Sequence, residues 1–142
     1  MKKKSTIAAL ALTLLVAAAT GRAGEPLSII VNAGNPVSGL PRVTVANIFL
    51  KKAGRWASGE AVLPVDQAPD APVRATFSKV VHGKPTSAVA AYWQQQIFAG
   101  RGVPPVEKAG DEAVIEFVKS HPGAIGYISG GATSGVKVIS LQ

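Results

Sequence analysis

Short β-branched apolar runs alternate with segments of helical period from residue 27 to residue 139, and this alternation limits the chain to a layered α/β fold. Leu27-Ser28-Ile29-Ile30-Val31 has the composition of a buried strand, closed by the turn-forming Asn32-Ala33-Gly34-Asn35-Pro36. Val43, Ala46, Ile48, Phe49 and Leu50 then recur at helical spacing, with Pro41 suited to a first turn. Lys51-Lys52-Ala53-Gly54 suits the negative end of that helix. After a turn at Trp56-Ala57-Ser58-Gly59, Ala61-Val62-Leu63-Pro64-Val65 is the second expected strand. Asp70-Ala71-Pro72 predicts a helix start capped by Asp70, running to about Val81 with Val73, Phe77, Val80 and Val81 inward. Thr86 caps the next expected helix, whose apolar side is Val89, Trp93 and Ile97 with Tyr92 beside them. Residues 100–105 read as loop. Asp111 caps a helix carrying Val114, Ile115, Phe117 and Val118, which Pro122-Gly123 stops. Ala124–Ile128 and Val136–Ile139 complete the strands, so the expected fold is a mostly parallel sheet flanked by helices.

The amino terminus reads differently. Met1-Lys2-Lys3-Lys4 precedes an uncharged run from Ile7 to Ala19 and then small residues, the order of a secretory signal peptide. About 13 apolar residues fall short of the roughly 20 that span a bilayer. Cleavage fits after Ala19 or after Ala23, and residues 1–23 are expected to leave a domain of residues 24–142 in the periplasm. The formal charge of +7 shrinks with the signal, because Lys2, Lys3, Lys4 and Arg22 go with it and leave 11 basic against 8 acidic residues. The remaining cations are scattered, with Lys51-Lys52 the one adjacent pair, so no nucleic-acid footprint is present. The chain has no cysteine, so the exported domain must rely on packing.

Catalytic and metal chemistry find few residues to carry them. His82 and His121 are far apart and each near an expected helix end, where the dipole favours a solvated imidazolium. No histidine pair or cysteine set offers a metal site or thiol nucleophile. Gly130-Gly131-Ala132-Thr133-Ser134-Gly135-Val136-Lys137 misses the phosphate-loop spacing, since Val136 separates glycine from lysine, and a strand follows it; it reads as a flexible turn. Ser134 lacks the glycine two residues earlier that a nucleophile elbow needs. Trp56, Tyr92 and Trp93 read as core and rim packing in preference to ligand stacking. Neither catalytic residue nor cofactor is expected.

The start of the helix from Asp70 is the remaining place for chemistry. Free backbone N–H groups and the positive dipole end suit a phosphate or carboxylate there, with Arg74 in the first turns and Gln67 just upstream. Asp70 can instead satisfy those donors itself and leave Arg74 as a surface cation. Asp66 can pair with Arg74 across the same loop. The candidate ligand-binding set is therefore Asp66, Gln67, Asp70, Ala71, Val73 and Arg74.

Several landmarks together resemble the phosphate-type substrate-binding proteins of bacterial ABC transporters. These are Asn35-Pro36, Ile48-Phe49-Leu50 with Arg55-Trp56, Pro64-Val65 before Arg74 and Phe77, and Tyr92-Trp93. Phe98-Ala99-Gly100, Pro104-Pro105, Phe117-Val118 and Pro122-Gly123-Ala124-Ile125-Gly126-Tyr127 continue the series, and the last segment is the most specific. The resemblance implies one lobe of a type II periplasmic binding protein-like fold, with no counterpart of the second lobe in this length. It also implies a small anion such as phosphate as ligand and an ABC permease as partner. Alignment on Phe77 puts Gln67 where the family has arginine, and Ala71, Pro72 and Val73 where it has Ser-Gly-Thr. A fixed charge, two hydroxyls and one N–H are thereby lost. Charge-assisted hydrogen bonds contribute roughly 1.5–3 kcal/mol each, so these losses amount to a factor of about a thousand or more in affinity. Two functions stay open: an exported solute-binding-like module for anion uptake or sensing, and an envelope interaction domain that has lost its ligand, with a homodimer able to rebuild a cleft.

Overall fold

The computed structural model describes residues 26–130 and 134–142. The signal peptide, its cleavage sites and Gly131, Ala132 and Thr133 of the glycine-rich stretch lie outside the described residues. The element order is β1 (Ser28–Asn32), β2 (Gly39–Leu40), α1 (Arg42–Phe49), β3 (Leu63–Gln67) and α2 (Pro72–Phe77). A π-helical turn (Ser78–His82) extends α2, and α3 (Thr86–Phe98), β4 (Val106–Lys108), α4 (Asp111–Ser120), β5 (Ala124–Ile128) and β6 (Val136–Leu141) follow.

The strands form one sheet in the order β2-β6-β1-β5-β3-β4. Five strands run the same way and β1 runs against them, antiparallel to both β5 and β6. Strand alternation sends Ile29 and Val31 of β1, with Ile125 and Tyr127 of β5, to one face, where they pack with Val45, Phe49, Val73 and Phe77 of α1 and α2. Ile30, Ala124 and Ile128 point to the other face, against Val114 and Val118 of α4. The expected mostly parallel sheet with helices on its faces is the fold observed. Among the described residues, no helix is long and apolar enough to cross a membrane.

Gly126 explains how closely α4 seats. A Cβ built there would lie 2.7 Å from Val114 Cγ1 and 2.8 Å from Val65 Cγ1, so only glycine lets α4 and β3 meet over β5.

Several local expectations are corrected. β3 begins two residues late, at Leu63, because Ala61 sits in an isolated bridge to Arg55. β2 and β4 hold two and three residues, too few for a periodic signal. Asp70 is exposed and caps nothing: the α2 cap is Ala71, in extended backbone with no side-chain hydrogen bond. Thr86 and Asp111 are the first helical residues of α3 and α4, whose caps are Pro85 and Gly110. Helical period alone also misassigns three aliphatic side chains. Val43, Val80 and Ile97 are exposed, while Val45 lies wholly inside.

Candidate functional site

β3 and β5 are parallel neighbours, and their carboxyl ends bring Asp66, Gln67 and Tyr127 together. In open α/β sheets this is the edge at which ligands bind. Asp66, Gln67 and Arg74 are all buried polar residues, an arrangement that needs internal partners.

Arg74 reaches back from α2 to β3. Its Nη1 donates to the Gln67 carbonyl at 2.8 Å and to Glu107 Oε1, on β4, at 3.0 Å, and its Nη2 lies 3.5 Å from Asp66 Oδ2. The two carboxylates thus hold the guanidinium from two sides. Asp66 Oδ1 also accepts from the Tyr127 hydroxyl and, at 3.1 Å, from the Gln67 backbone N–H. Gln67 Nε2 donates to the Tyr127 carbonyl at 3.2 Å and to Asp111 Oδ1 at 2.9 Å. Asp111 in turn accepts from the Ser129 N–H and hydroxyl. The network therefore ties β3, β4 and β5 to α2 and α4.

Burial sets the electrostatics. It pushes the Asp66 carboxyl above the usual aspartate range, and the Tyr127 hydrogen bond and the Arg74 charge offset only part of that push. Tyr127 is driven well up by burial and by Asp66, so its hydroxyl stays a donor. Burial disfavours the Arg74 charge, but Asp66 and Glu107 more than compensate and its pKa rises. Arg74 is the one cation among Asp66, Glu107 and Asp111, so with the carboxylates ionised the cluster is net negative. Beside Asp66 and Arg74 a space of about 10 Å³ remains, room for about one water and too small for a phosphate ion.

Of the residues singled out from sequence, Asp66, Gln67 and Arg74 converge, and Arg74 is a buried ion-pair partner where a surface cation was the alternative. Asp70 stays outside the network in solvent, Ala71 caps the helix with its backbone and packs its methyl against the core, and Val73 belongs to the apolar core. Pro72 has no N–H, and those of Arg74 and Ala75 donate to the Ala71 carbonyl, so the helix start presents little to an anion. Sequence reasoning missed Glu107, Tyr127 and the role of Asp111. A tyrosine within an otherwise apolar strand was a usable signal, since its buried hydroxyl needs a partner. Nothing marked Glu107.

His82 is also corrected. Its ring is half-buried against the edge of Phe77, centroids 5.5 Å apart, and burial together with Lys84 lowers its pKa to about 4, so it is neutral at pH 7. His121 Nδ1 contacts the Phe117 carbonyl at 2.7 Å and its ring stacks on Phe117. Among the described residues no group of three or more His, Cys, Asp and Glu side chains is placed to hold a metal ion.

The architecture has close counterparts among solved structures. A protein described as a phosphate ABC transporter substrate-binding protein, from Clostridium perfringens and with phosphate bound, superposes with a TM-score of 0.65 at 21% identity, over 80% of this chain and 44% of that one. An ABC-type phosphate transport receptor from Vibrio cholerae gives 0.64 at 19% identity, over 80% and 45%. A candidate phosphate binding protein from Planctomyces limnophilus gives 0.62 at 15%, over 82% and 41%. The chain thus spans less than half the length of each of these structures. No protein-family model matches it, and no curated protein matches it in sequence. The chain therefore has the α/β fold of part of a phosphate-type substrate-binding protein, as the landmarks from Asn35-Pro36 to Tyr127 implied.

Proposed function

We propose that the protein is an exported, solute-binding-protein-like module whose anion site has been converted into an internal ion-pair network, so that it acts by contact with an envelope partner in transport or sensing and not by tight capture of phosphate. One observation carries this reading: the buried Arg74 is held between the buried Asp66 and the more exposed Glu107, in a cluster whose third carboxylate is Asp111. A phosphate arriving there would have to displace a carboxylate from the single cation and face the remaining negative charge. The fold supports the binding-protein-like class, whose members named above are binding proteins and not enzymes.

Calorimetric titration with phosphate, sulfate and small carboxylates tests the reading. Phosphate or sulfate binding no tighter than about millimolar is expected. A micromolar dissociation constant for either ion would overturn it. Export is tested by sequencing the amino terminus of protein recovered from the periplasm of a Gram-negative host. A start at Thr20 or Gly24 is expected, and an intact Met1 in the membrane fraction would contradict it.

A second reading keeps weak anion capture, and the exposure of Glu107 favours it. Its side chain is 42% exposed while those of Arg74 and Asp66 are 10% and 11%. Rotation of Glu107 into water would free one N–H of Arg74 Nη1 for an anion, while the other stays on the Gln67 carbonyl.

A further inference from the structure

The end of α1, the end of the π-helical turn and the first turns of α3 enclose a cavity of about 120 Å³ that no residue of the Asp66–Arg74 cluster lines. Leu50 and Val89 give it an apolar floor, and Lys52, Lys84, His82 and Tyr92 form its walls. Lys52 Nζ sits 5.7 Å from the centre of the Tyr92 ring. The Tyr92 hydroxyl makes a long, 3.5 Å donation to the Leu50 carbonyl, and Trp93 braces the ring edge-on at 5.1 Å. The aromatic wall is therefore tied to both helices.

The charges around this cavity are one-sided. No carboxylate lines it, and among the described residues neither Lys52 nor Lys84 belongs to an ion pair. Two lysines lining one space with no carboxylate beside them make it favourable to an anion. An inorganic tetrahedral anion would answer the charges but leave Leu50 and Val89 in contact with water. A carboxylate on a compact apolar or aromatic body answers both, and the cavity has room for about one ring.

We propose that this cavity binds a small organic carboxylate, with its anionic group between Lys52 and Lys84 and its apolar body on Leu50, Val89 and the ring of Tyr92. The site is independent of the phosphate-type cluster, and its occupancy does not require phosphate binding to succeed or fail.

Titration of the purified protein with benzoate, followed by calorimetry and by the ring signals of Tyr92 and His82, tests the site. Benzyl alcohol supplies the same ring without charge, and inorganic phosphate supplies charge without a ring. Saturable benzoate binding at least tenfold tighter than either is expected. Lys52→Gln and Lys84→Gln should each weaken it about five- to tenfold, while Lys52→Arg keeps the charge and retains it. Lys79→Gln, an exposed lysine outside the cavity, should leave binding unchanged. The three positions, Lys52, Lys79 and Lys84, are exposed, and circular dichroism checks that each variant folds. Equal binding of benzoate and benzyl alcohol, equal binding of benzoate and phosphate, an equal loss in Lys79→Gln, or no saturation at tens of millimolar would each overturn the proposal.

Discussion

Phe77 lies flat on Tyr127, with ring centroids 3.9 Å apart and planes inclined by 7°. The stack joins α2 to β5 and fixes the phenol so that its hydroxyl meets Asp66. One face of Tyr127 thus belongs to the apolar core while its tip belongs to the polar cluster. Tyr127→Phe keeps the stack and deletes the hydroxyl, which donates to the buried Asp66 carboxylate and accepts from the Gln67 N–H at 3.2 Å. A loss of about 1–3 kcal/mol in urea unfolding is expected. An unchanged midpoint would show that the hydroxyl contributes nothing to folding.

Arg74 is expected to behave as a structural cation. Arg74→Met alone strands the buried Asp66 and should cost about 3–5 kcal/mol. The double variant Asp66→Asn/Arg74→Met removes both charges and should recover more than half of that loss. A double-mutant cycle measures the coupling directly, and additive losses would contradict a buried pair.

Gly126 is fixed by packing and not by backbone conformation. Gly126→Ala places a methyl against Val114 and Val65 and should destabilise by roughly 1–3 kcal/mol through overpacking. Gly126→Ala combined with Val114→Ala opens the space and should restore part of the stability. No recovery in that pair would mean the glycine is needed for another reason.

His82 makes stability depend on pH. Its pKa is lowered in the folded chain from 6.5 to about 4, so the neutral ring favours folding above the unfolded value. That contribution is lost as pH falls from about 6.5 towards 4. Because the ring is only half-buried, a loss of roughly 1–2 kcal/mol over this window is expected after solvent screening. Asp66 works in the opposite sense, since its raised pKa favours the folded state as it protonates on acidification. Comparing the native protein with His82→Gln isolates the histidine: the variant should lose less stability over the window. Parallel curves would assign the pH dependence elsewhere.

The longest elements were legible because their signals are local. Ile29-Ile30-Val31 and Ala124–Ile128 announce buried strands by composition, and Pro122-Gly123 announces the end of α4. The caps were not legible. Asp70 and Asp111 have the right side chains, but the chain enters α2 through Ala71 and α4 through Gly110 at a φ of 92°. Asp111 is instead drawn to Gln67 and Ser129, partners 44 and 18 residues away. The cluster was half legible for the same reason. Asp66, Gln67 and Arg74 are close in sequence, whereas Glu107 and Tyr127 arrive only through the pairing of β3 with β4 and β5.

Glu107 offers a gain-of-binding experiment. Glu107→Gln removes one of the two carboxylates on Arg74 and lowers the negative charge of the cluster. If anion capture is latent, phosphate affinity should rise by about tenfold, read by calorimetry. No change would leave Asp66 alone sufficient to occupy the guanidinium.

The central claim is that Arg74 is satisfied from within, and it is tested most directly at the guanidinium itself. Nitrogen-detected NMR of the Arg74 side chain, recorded while phosphate is added to the native protein, reads its partners without inference. Resonances that stay fixed to about millimolar phosphate are expected, because Asp66, Glu107 and the Gln67 carbonyl already hold its donors. Saturable shifts at micromolar phosphate would contradict the claim and show Arg74 to be an anion ligand.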